Sequence, residues 1–301
     1  MILKAQSTSP QRQPSLLLAH GAMLSVAIIY AVNYYIMKGV LQEVTPFALL
    51  AVRVCSGLLF FGLIAFGKWR FAREDWLRLV ACGLFGVAIN QTFFIWGLSK
   101  TTPVNGGVIM TLTPVLVLLI ARVMGQERLT WLRVLGMMIA FGGAVLLSLR
   151  GGKVAFGSES VMGDIMIFIN AASFAFYLVL VKPLATKYKP FPLFSALFAV
   201  GSLIAIPVGG PAMIAVSWST LPLTILLGVL YIIVFTTIFA YTLNVWALRK
   251  VPSSQVGVYI YLQPMLVAML SPWFLSIPLT AYQWGYIGMV LIGVMLVNWR
   301  K

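Results

Sequence analysis

Residues 98–147 read LSKTTPVNGGVIMTLTPVLVLLIARVMGQERLTWLRVLGMMIAFGGAVLL, and this stretch decides the fold. It holds two apolar runs, at about 103–123 and 130–149, with a short polar turn between them. Each run has about 20 residues, enough to cross roughly 30 Å of hydrocarbon as a helix. Inside lipid every backbone polar group must be satisfied within the segment, so a helix is the expected form. The stretch therefore predicts two consecutive transmembrane helices.

The same pattern extends along the whole chain. Apolar residues make up 61% of the sequence and charged residues 9%, with a mean hydropathy of +1.00, which excludes an ordinary globular surface. We predict an all-α integral membrane protein with ten transmembrane helices, and a polar cytoplasmic tail over 1–17. The ten apolar runs lie at about 18–38, 46–67, 76–97, 103–123, 130–149, 161–181, 192–209, 220–245, 253–275 and 280–299.

The basic residues indicate the direction of threading. With a cytoplasmic N-terminus, 16 of the 21 Lys and Arg residues fall in cytoplasmic turns and only four fall outside. This asymmetry follows the positive-inside rule and predicts that both termini are cytoplasmic, at a bacterial inner membrane. The net charge of +15 then lies at helix ends beside anionic lipid, so the lipid bilayer and not nucleic acid is the expected partner.

The chain contains an internal repeat. Shifting 90–150 onto 240–300 gives 15 identities in 61 gap-free positions, where composition alone gives roughly 5. We divide the chain into a first repeat, 18–150, and a second, 151–301, with five predicted spans in each. Because five is odd, the two repeats enter the membrane from opposite sides, and inverted repeats of this kind build secondary transporters. A duplicated scaffold without transport is the alternative.

The quoted stretch resembles the closing helices of an EamA-type repeat in the drug/metabolite transporter superfamily. The resemblance rests on a mid-span proline, a Gly-x-Glu-x-Leu-Thr turn and a glycine-containing last helix, at Pro114, Gly125, Glu127, Leu129, Thr130, Gly136 and Gly143. The opening helices match the family at Asn33, Lys38, Pro46 and Arg53. The resemblance covers both halves and implies a transporter. One departure is Ile277, which stands in the second half where the first has its acidic residue.

No catalytic constellation is present in the sequence. The only histidine is His20, and the six acidic residues lie at or near predicted turns. A hydrolase, a metal enzyme or an intramembrane protease needs clustered His, Cys or carboxylate groups inside its site. We therefore predict a protein that is not an enzyme and that holds no cofactor or metal. No acid lies in the middle of a span, so proton coupling through a membrane carboxylate is not expected.

Uncharged polar and aromatic residues recur at helical spacing within the runs. Asn170 and Tyr177 share one face of the sixth run, and Tyr241 and Asn244 share one face of the eighth. Amides that faced lipid would lack hydrogen-bond partners, so these faces turn inward. They either join helices to one another or line a shared cavity. The predicted substrate-binding residues are Asn33, Arg53, Gln91, Phe94, Asn170, Tyr177, Thr237, Tyr241, Asn244 and Tyr259.

Three further features leave alternatives open. Arg53 is the one full charge well inside a span, and it either snorkels, pairs with an acid, or binds a substrate carboxylate. Glycines in the fifth and tenth runs predict close packing, within one chain or across a homodimer, so the protein is a monomer or a homodimer. Pro114 and Pro264 should kink the fourth and ninth helices.

The sequence favours a secondary transporter that moves a small polar metabolite across the inner membrane by alternating access. An amino acid or related solute fits an uncharged, amide-rich and aromatic cavity, and export is implied by the resemblance. Within transport, the alternatives are a multidrug exporter and a sugar-nucleotide-type exchanger, although phosphorylated solutes would require several cations inside the spans. Outside transport, the alternative is a membrane receptor or scaffold.

Overall fold

The structure is a computed structural model that describes residues 13–101, 103–150, 158–275 and 279–299. All regular secondary structure in these residues is helical. Nine continuous helical stretches among these residues, some of them made of several of the helices named below, are long and apolar enough to cross a membrane. The chain is therefore an all-α integral membrane protein, as the apolar runs predicted. Most of the predicted tail, residues 1–12, lies outside the described residues.

The helices extend beyond several of the predicted runs. In chain order they are α1 (Gln13–Glu43), α2 (Pro46–Ala65), α3 (Trp76–Gly83), α4 (Asn90–Lys100), α5 (Pro103–Met110), α6 (Thr113–Val123), α7 (Trp131–Arg150), α8 (Ser158–Lys187), α9 (Pro190–Ala215), α10 (Leu223–Tyr231), α11 (Ala240–Leu248), α12 (Ser253–Gly257), α13 (Leu262–Leu275) and α14 (Ala281–Asn298). Two π-helical segments, Leu84–Ile89 and Ile232–Phe239, join α3 to α4 and α10 to α11. A 3₁₀ segment, Val258–Tyr261, joins α12 to α13.

Prolines interrupt the fourth and ninth predicted helices. A proline has no N–H, so the carbonyl four residues earlier loses its helical partner. For Pro114 that carbonyl belongs to Met110, where α5 ends, and for Pro264 it belongs to Ile260, inside the 3₁₀ segment. The predicted kinks are confirmed. The ninth predicted span, 253–275, is consequently divided into three short helices, and the ten-span count remains a prediction.

The two π segments occupy equivalent places in the two halves. Adding 150 to Leu84–Ile89 gives 234–239, which lies inside Ile232–Phe239. A π turn widens the helix and frees backbone groups. In the second segment the hydroxyls of Thr236 and Thr237 donate to the carbonyl of Ile232, at 2.6 and 3.2 Å. Matched irregularities of this kind support the division into two repeats.

The most extensive helix packing joins the two halves, α2 with α9 and α7 with α14. A Cβ added to Gly136 would lie 2.8 Å from the carbonyl oxygen of Gly293, and one added to Gly143 would lie 2.9 Å from that of Tyr286. The order of these contacts makes α7 and α14 antiparallel, and a shift of 150 residues converts one contact into the other. Equivalent helices of an inverted duplication pack in this way. The predicted close packing of glycines within one chain is confirmed here.

Four turns meet on one face of the bundle, which we call the basic face: 66–75, 124–130, 188–189 and 249–252. Three contacts link these turns or the helix ends beside them. Lys187 forms an ion pair with Asp75 at 2.6 Å, Arg249 donates a hydrogen bond to the carbonyl oxygen of Tyr188, and the backbone N–H of Ser254 donates one to Glu127. The predicted threading places these four turns together, and their direct contacts agree with it.

Candidate functional site

A cavity lies in the middle of the bundle, between helices of both halves. Its walls come from α1, α2, α4, α8, α11, the end of α5, the 3₁₀ segment and the start of α13. The centres of water-sized molecules can occupy about 70 Å³ of this space. Since roughly 10–15 Å³ by this measure holds one water, the cavity has room for a small solute.

Among the described residues that line the cavity, Arg53 is the only one with an ionised side chain. It is 5% exposed, and its Nε donates a hydrogen bond to Thr237 Oγ1 at 3.3 Å. In the described part of the chain no carboxylate lies within ion-pair distance of Arg53. A buried charge without a counter-ion is costly, so this position favours an anionic ligand group.

Amide side chains line the same cavity and are held by hydrogen bonds. Gln91 Nε2 donates to the hydroxyl of Tyr241 at 3.1 Å, and that hydroxyl donates to the carbonyl of Gly86 at 2.7 Å. Asn170 Nδ2 donates to the carbonyl of Asn90 at 2.8 Å. Three buried amide oxygens of the lining side chains have no hydrogen-bond partner: those of Asn33, Gln91 and Asn170. A buried acceptor without a partner is costly, so these oxygens favour a ligand that brings hydrogen-bond donors.

A smaller volume continues the cavity toward the basic face, and we call it the apolar annex. Water-sized centres can occupy about 20 Å³ of it. It shares Tyr30, Phe174, Ile260 and Gln263 with the cavity, and its other apolar walls are Met23, Val26, Ala27, Leu178 and Val256. It lies toward the basic face because Val256 is two residues beyond Ser254, which binds the turn there.

Eight of the ten predicted binding residues line the cavity or the annex, and two line neither. Six line the cavity: Asn33, Arg53, Gln91, Phe94, Asn170 and Tyr241. Asn244 and Tyr259 line the annex. Tyr177 and Thr237 line neither volume, which corrects their predicted placement. Tyr177 packs against Gly86, where an added Cβ would lie 2.3 Å from its ring, and the fully buried Thr237 holds Arg53 instead.

Several cavity residues were not selected from the sequence: Tyr30, Tyr34, Asn90, Met110, Phe174, Ile260 and Gln263. Two of them carried a usable signal. Asn90 stands beside Gln91 as an amide pair inside an apolar run, and Gln263 follows Tyr259 by one helical turn. Among the described residues, no group of three or more His, Cys, Asp or Glu could hold a metal ion.

The basic-face end of the cavity is closed. There α6 packs on α12, and a Cβ added to Gly257 would lie 3.3 Å from Val117. Glu127 accepts hydrogen bonds from Ser254 N at 3.0 Å and from Ser254 Oγ, and it lies 3.4 Å from Arg133. We call these contacts the basic-face gate. Toward the other face, α5 packs on α7 and α8, and α13 packs mainly on α1 and α7.

Comparisons with known proteins agree with this architecture. The profile of the EamA-like transporter family matches residues 17–149 and 161–299. An uncharacterized transporter of Archaeoglobus fulgidus is 27% identical over 253 residues, 83% of this chain and 86% of that protein. A protein of Streptantibioticus cattleyicolor named "Probable terminal-alkyne amino-acid exporter" is 23% identical, with 91% of this chain and 88% of that protein covered. A crystal structure with a TM-score of 0.74 and 20% identity covers 96% of this chain and 97% of its own, and shares the fold.

Proposed function

We propose that this chain, which belongs to the EamA-like transporter family and is a membrane transporter, moves an amino acid or a related zwitterion out of the cell by alternating access. The observation that carries the proposal is the guanidinium of Arg53, which lies in a cavity between the two halves with no counter-ion among the described residues. The planar guanidinium can bind a carboxylate through two parallel hydrogen bonds. The buried amide oxygens of Asn33, Gln91 and Asn170 can accept bonds from an ammonium group.

The single cation in the cavity also discriminates among solute classes. A lipophilic cation, common among drugs, would be repelled by Arg53 in a medium of low dielectric. A sugar nucleotide carries at least two negative charges on its diphosphate, and one guanidinium balances only part of that charge. A zwitterion brings one carboxylate and adds no net charge to the site, so it satisfies Arg53 fully.

Direction and mechanism draw on separate observations. The positive-inside rule assigns the basic face to the cytoplasm of a bacterial inner membrane. The closed basic-face gate then separates the cavity from the cytoplasm, as one of the two states of alternating access requires. Outward movement takes its support from the Streptantibioticus cattleyicolor relative, whose name describes an amino-acid exporter.

Counterflow into proteoliposomes tests the proposal. The full-length chain should exchange labelled neutral amino acids and leave tetraphenylphosphonium and UDP-glucose untransported. Arg53→Gln should weaken amino-acid transport by about 10- to 150-fold, because a hydrogen bond to a charged group contributes roughly 1.5–3 kcal/mol. Lys38→Gln removes an exposed cation outside the cavity and should have little effect. Unchanged transport in Arg53→Gln, or exchange of the organic cation alone, would refute the proposal.

A further inference from the structure

Two polar side chains of the annex are engaged within the protein. The hydroxyl of Tyr259 and Nδ1 of His20 lie 2.7 Å apart, at hydrogen-bond distance. Asn244 Nδ2 donates to the carbonyl of Ala240 at 2.9 Å. Seven of the eleven residues that line the annex are apolar, so an apolar group matches most of its wall. The annex therefore favours carbon over hydrogen-bonding atoms, in contrast to the cavity beside Arg53.

The annex walls are tightly packed and small. Met23, Val26, Ala27, Leu178 and Val256 are each 6% exposed or less. The space for water-sized centres is about 20 Å³, against about 70 Å³ in the cavity. At roughly 10–15 Å³ per water molecule, the annex has room for one or two carbon atoms, such as the end of a short side chain. Glycine would leave it empty, and an indole ring would require its walls to move apart.

The annex and the cavity are adjacent. Tyr30, Phe174, Ile260 and Gln263 belong to the walls of both volumes, so a solute bound beside Arg53 can direct one end toward the aliphatic walls of the annex. A solute that fits both must carry a carboxylate at one end and a short apolar group at the other. The order along the membrane normal places the apolar group nearer to the basic face.

From this arrangement we infer that the solute is an α-amino acid with a compact aliphatic side chain, of about the size of valine, leucine or methionine, and that the annex selects this side chain. The inference rests on the proposed function and adds the side-chain class to it. The carboxylate binds Arg53, the ammonium group binds amide oxygens of the cavity, and the side chain enters between Met23, Val26 and Val256.

The test is the ratio of transport efficiencies within each variant, because a ratio does not depend on how much protein is reconstituted. In wild-type proteoliposomes, kcat/KM for leucine should exceed that for alanine by about tenfold or more, the usual range for missing methylenes in an apolar pocket. Val26→Phe fills the annex and should bring the leucine-to-alanine ratio close to one. Met23→Ala enlarges the annex and should raise the tryptophan-to-leucine ratio several-fold.

The matched control is Met37→Ala. Met37 is on the same helix as Met23, is 0% exposed, and lines neither volume, so both ratios should stay at their wild-type values. If Val26→Phe does not fold, Met23→Ala still decides the matter. Equal transport of alanine and leucine by the wild type, or unchanged ratios in Met23→Ala, would overturn the annex while leaving amino-acid transport intact. A wild type that carries no amino acid at all would instead refute the proposed function.

Discussion

Glu127 joins the turn after α6 to α12 at the basic-face gate, and under the proposed alternating-access mechanism its removal should shift the balance between the two access states. Its side chain is 3% exposed and accepts two hydrogen bonds from Ser254. In Glu127→Gln the amide oxygen still accepts from Ser254 N, but the charge and one acceptor are lost. A hydrogen bond to a charged group contributes about 1.5–3 kcal/mol, so a loss of roughly 2 kcal/mol favours gate opening by about 30-fold. With about 1% of molecules open at the start, roughly a quarter would become open.

Cysteine accessibility measures this shift. Val117 lies on α6, faces Gly257 of α12 and is fully buried. A cysteine at this position should therefore react with a maleimide only when the gate opens. In a chain whose Cys55 and Cys82 are replaced by alanine, Val117→Cys should react slowly from the basic face. Adding Glu127→Gln should accelerate that reaction by about 20- to 30-fold, in proportion to the open population.

The matched control removes a carboxylate that the gate does not use. Glu43 lies at the end of α1, away from the basic face, and is exposed, so Glu43→Gln should leave the labelling rate at Val117→Cys unchanged. The reasoning about the gate fails if Glu127→Gln labels no faster than Glu43→Gln. It also fails if both variants accelerate labelling equally, because the carboxylate would then act only through general stability.

Two further outcomes follow from the packing and the charges. Gly136→Ala should lower the unfolding temperature in detergent, because overpacking at the α7–α14 contact costs about 1–3 kcal/mol. Gly288→Ala is the control, since a Cβ added there meets nothing within 4 Å, and it should leave the unfolding temperature unchanged. Equal unfolding temperatures for the two variants would show that the α7–α14 contact accommodates the extra methyl group without loss of stability. No acid lines the cavity or the annex in the described residues, so an imposed proton gradient should change the transport rate little. A steep dependence that Asp164→Asn abolishes would make that carboxylate a proton carrier.

The features that sequence reasoning predicted correctly depend on local rules. The length of the apolar runs predicted the membrane helices, the glycines of the fifth and tenth runs predicted the close α7–α14 contact, and the prolines predicted the helix breaks at Pro114 and Pro264. Each of these follows from the backbone or from side-chain size alone. The lining role of Arg53 also came from a local fact, because a charge inside an apolar run has few places to go.

The features that sequence reasoning missed depend on contacts between distant segments. Helical spacing placed Tyr177 on the same face as Asn170, which lines the cavity. Because Gly86 has no side chain, the ring of Tyr177 packs instead against the first π segment and does not line the cavity. A regular period of 3.6 also fails across a π turn, whose extra residue rotates everything after it. Thr237 lies inside the second π segment, so its predicted face, shared with Tyr241 and Asn244 of α11, was wrong.

The contact between the two halves also bears on how the chain is made. Gly136 meets Gly293 and α2 meets α9, in each case across about 150 residues of sequence. At a synthesis rate of about 5–20 residues per second, the ribosome needs roughly 8–30 s to deliver the second partner. During that interval the glycine face of α7 has only lipid or the insertion machinery to cover it. Because α14 is synthesised about 150 residues after α7, the α7–α14 contact forms only after most of the second half has been made.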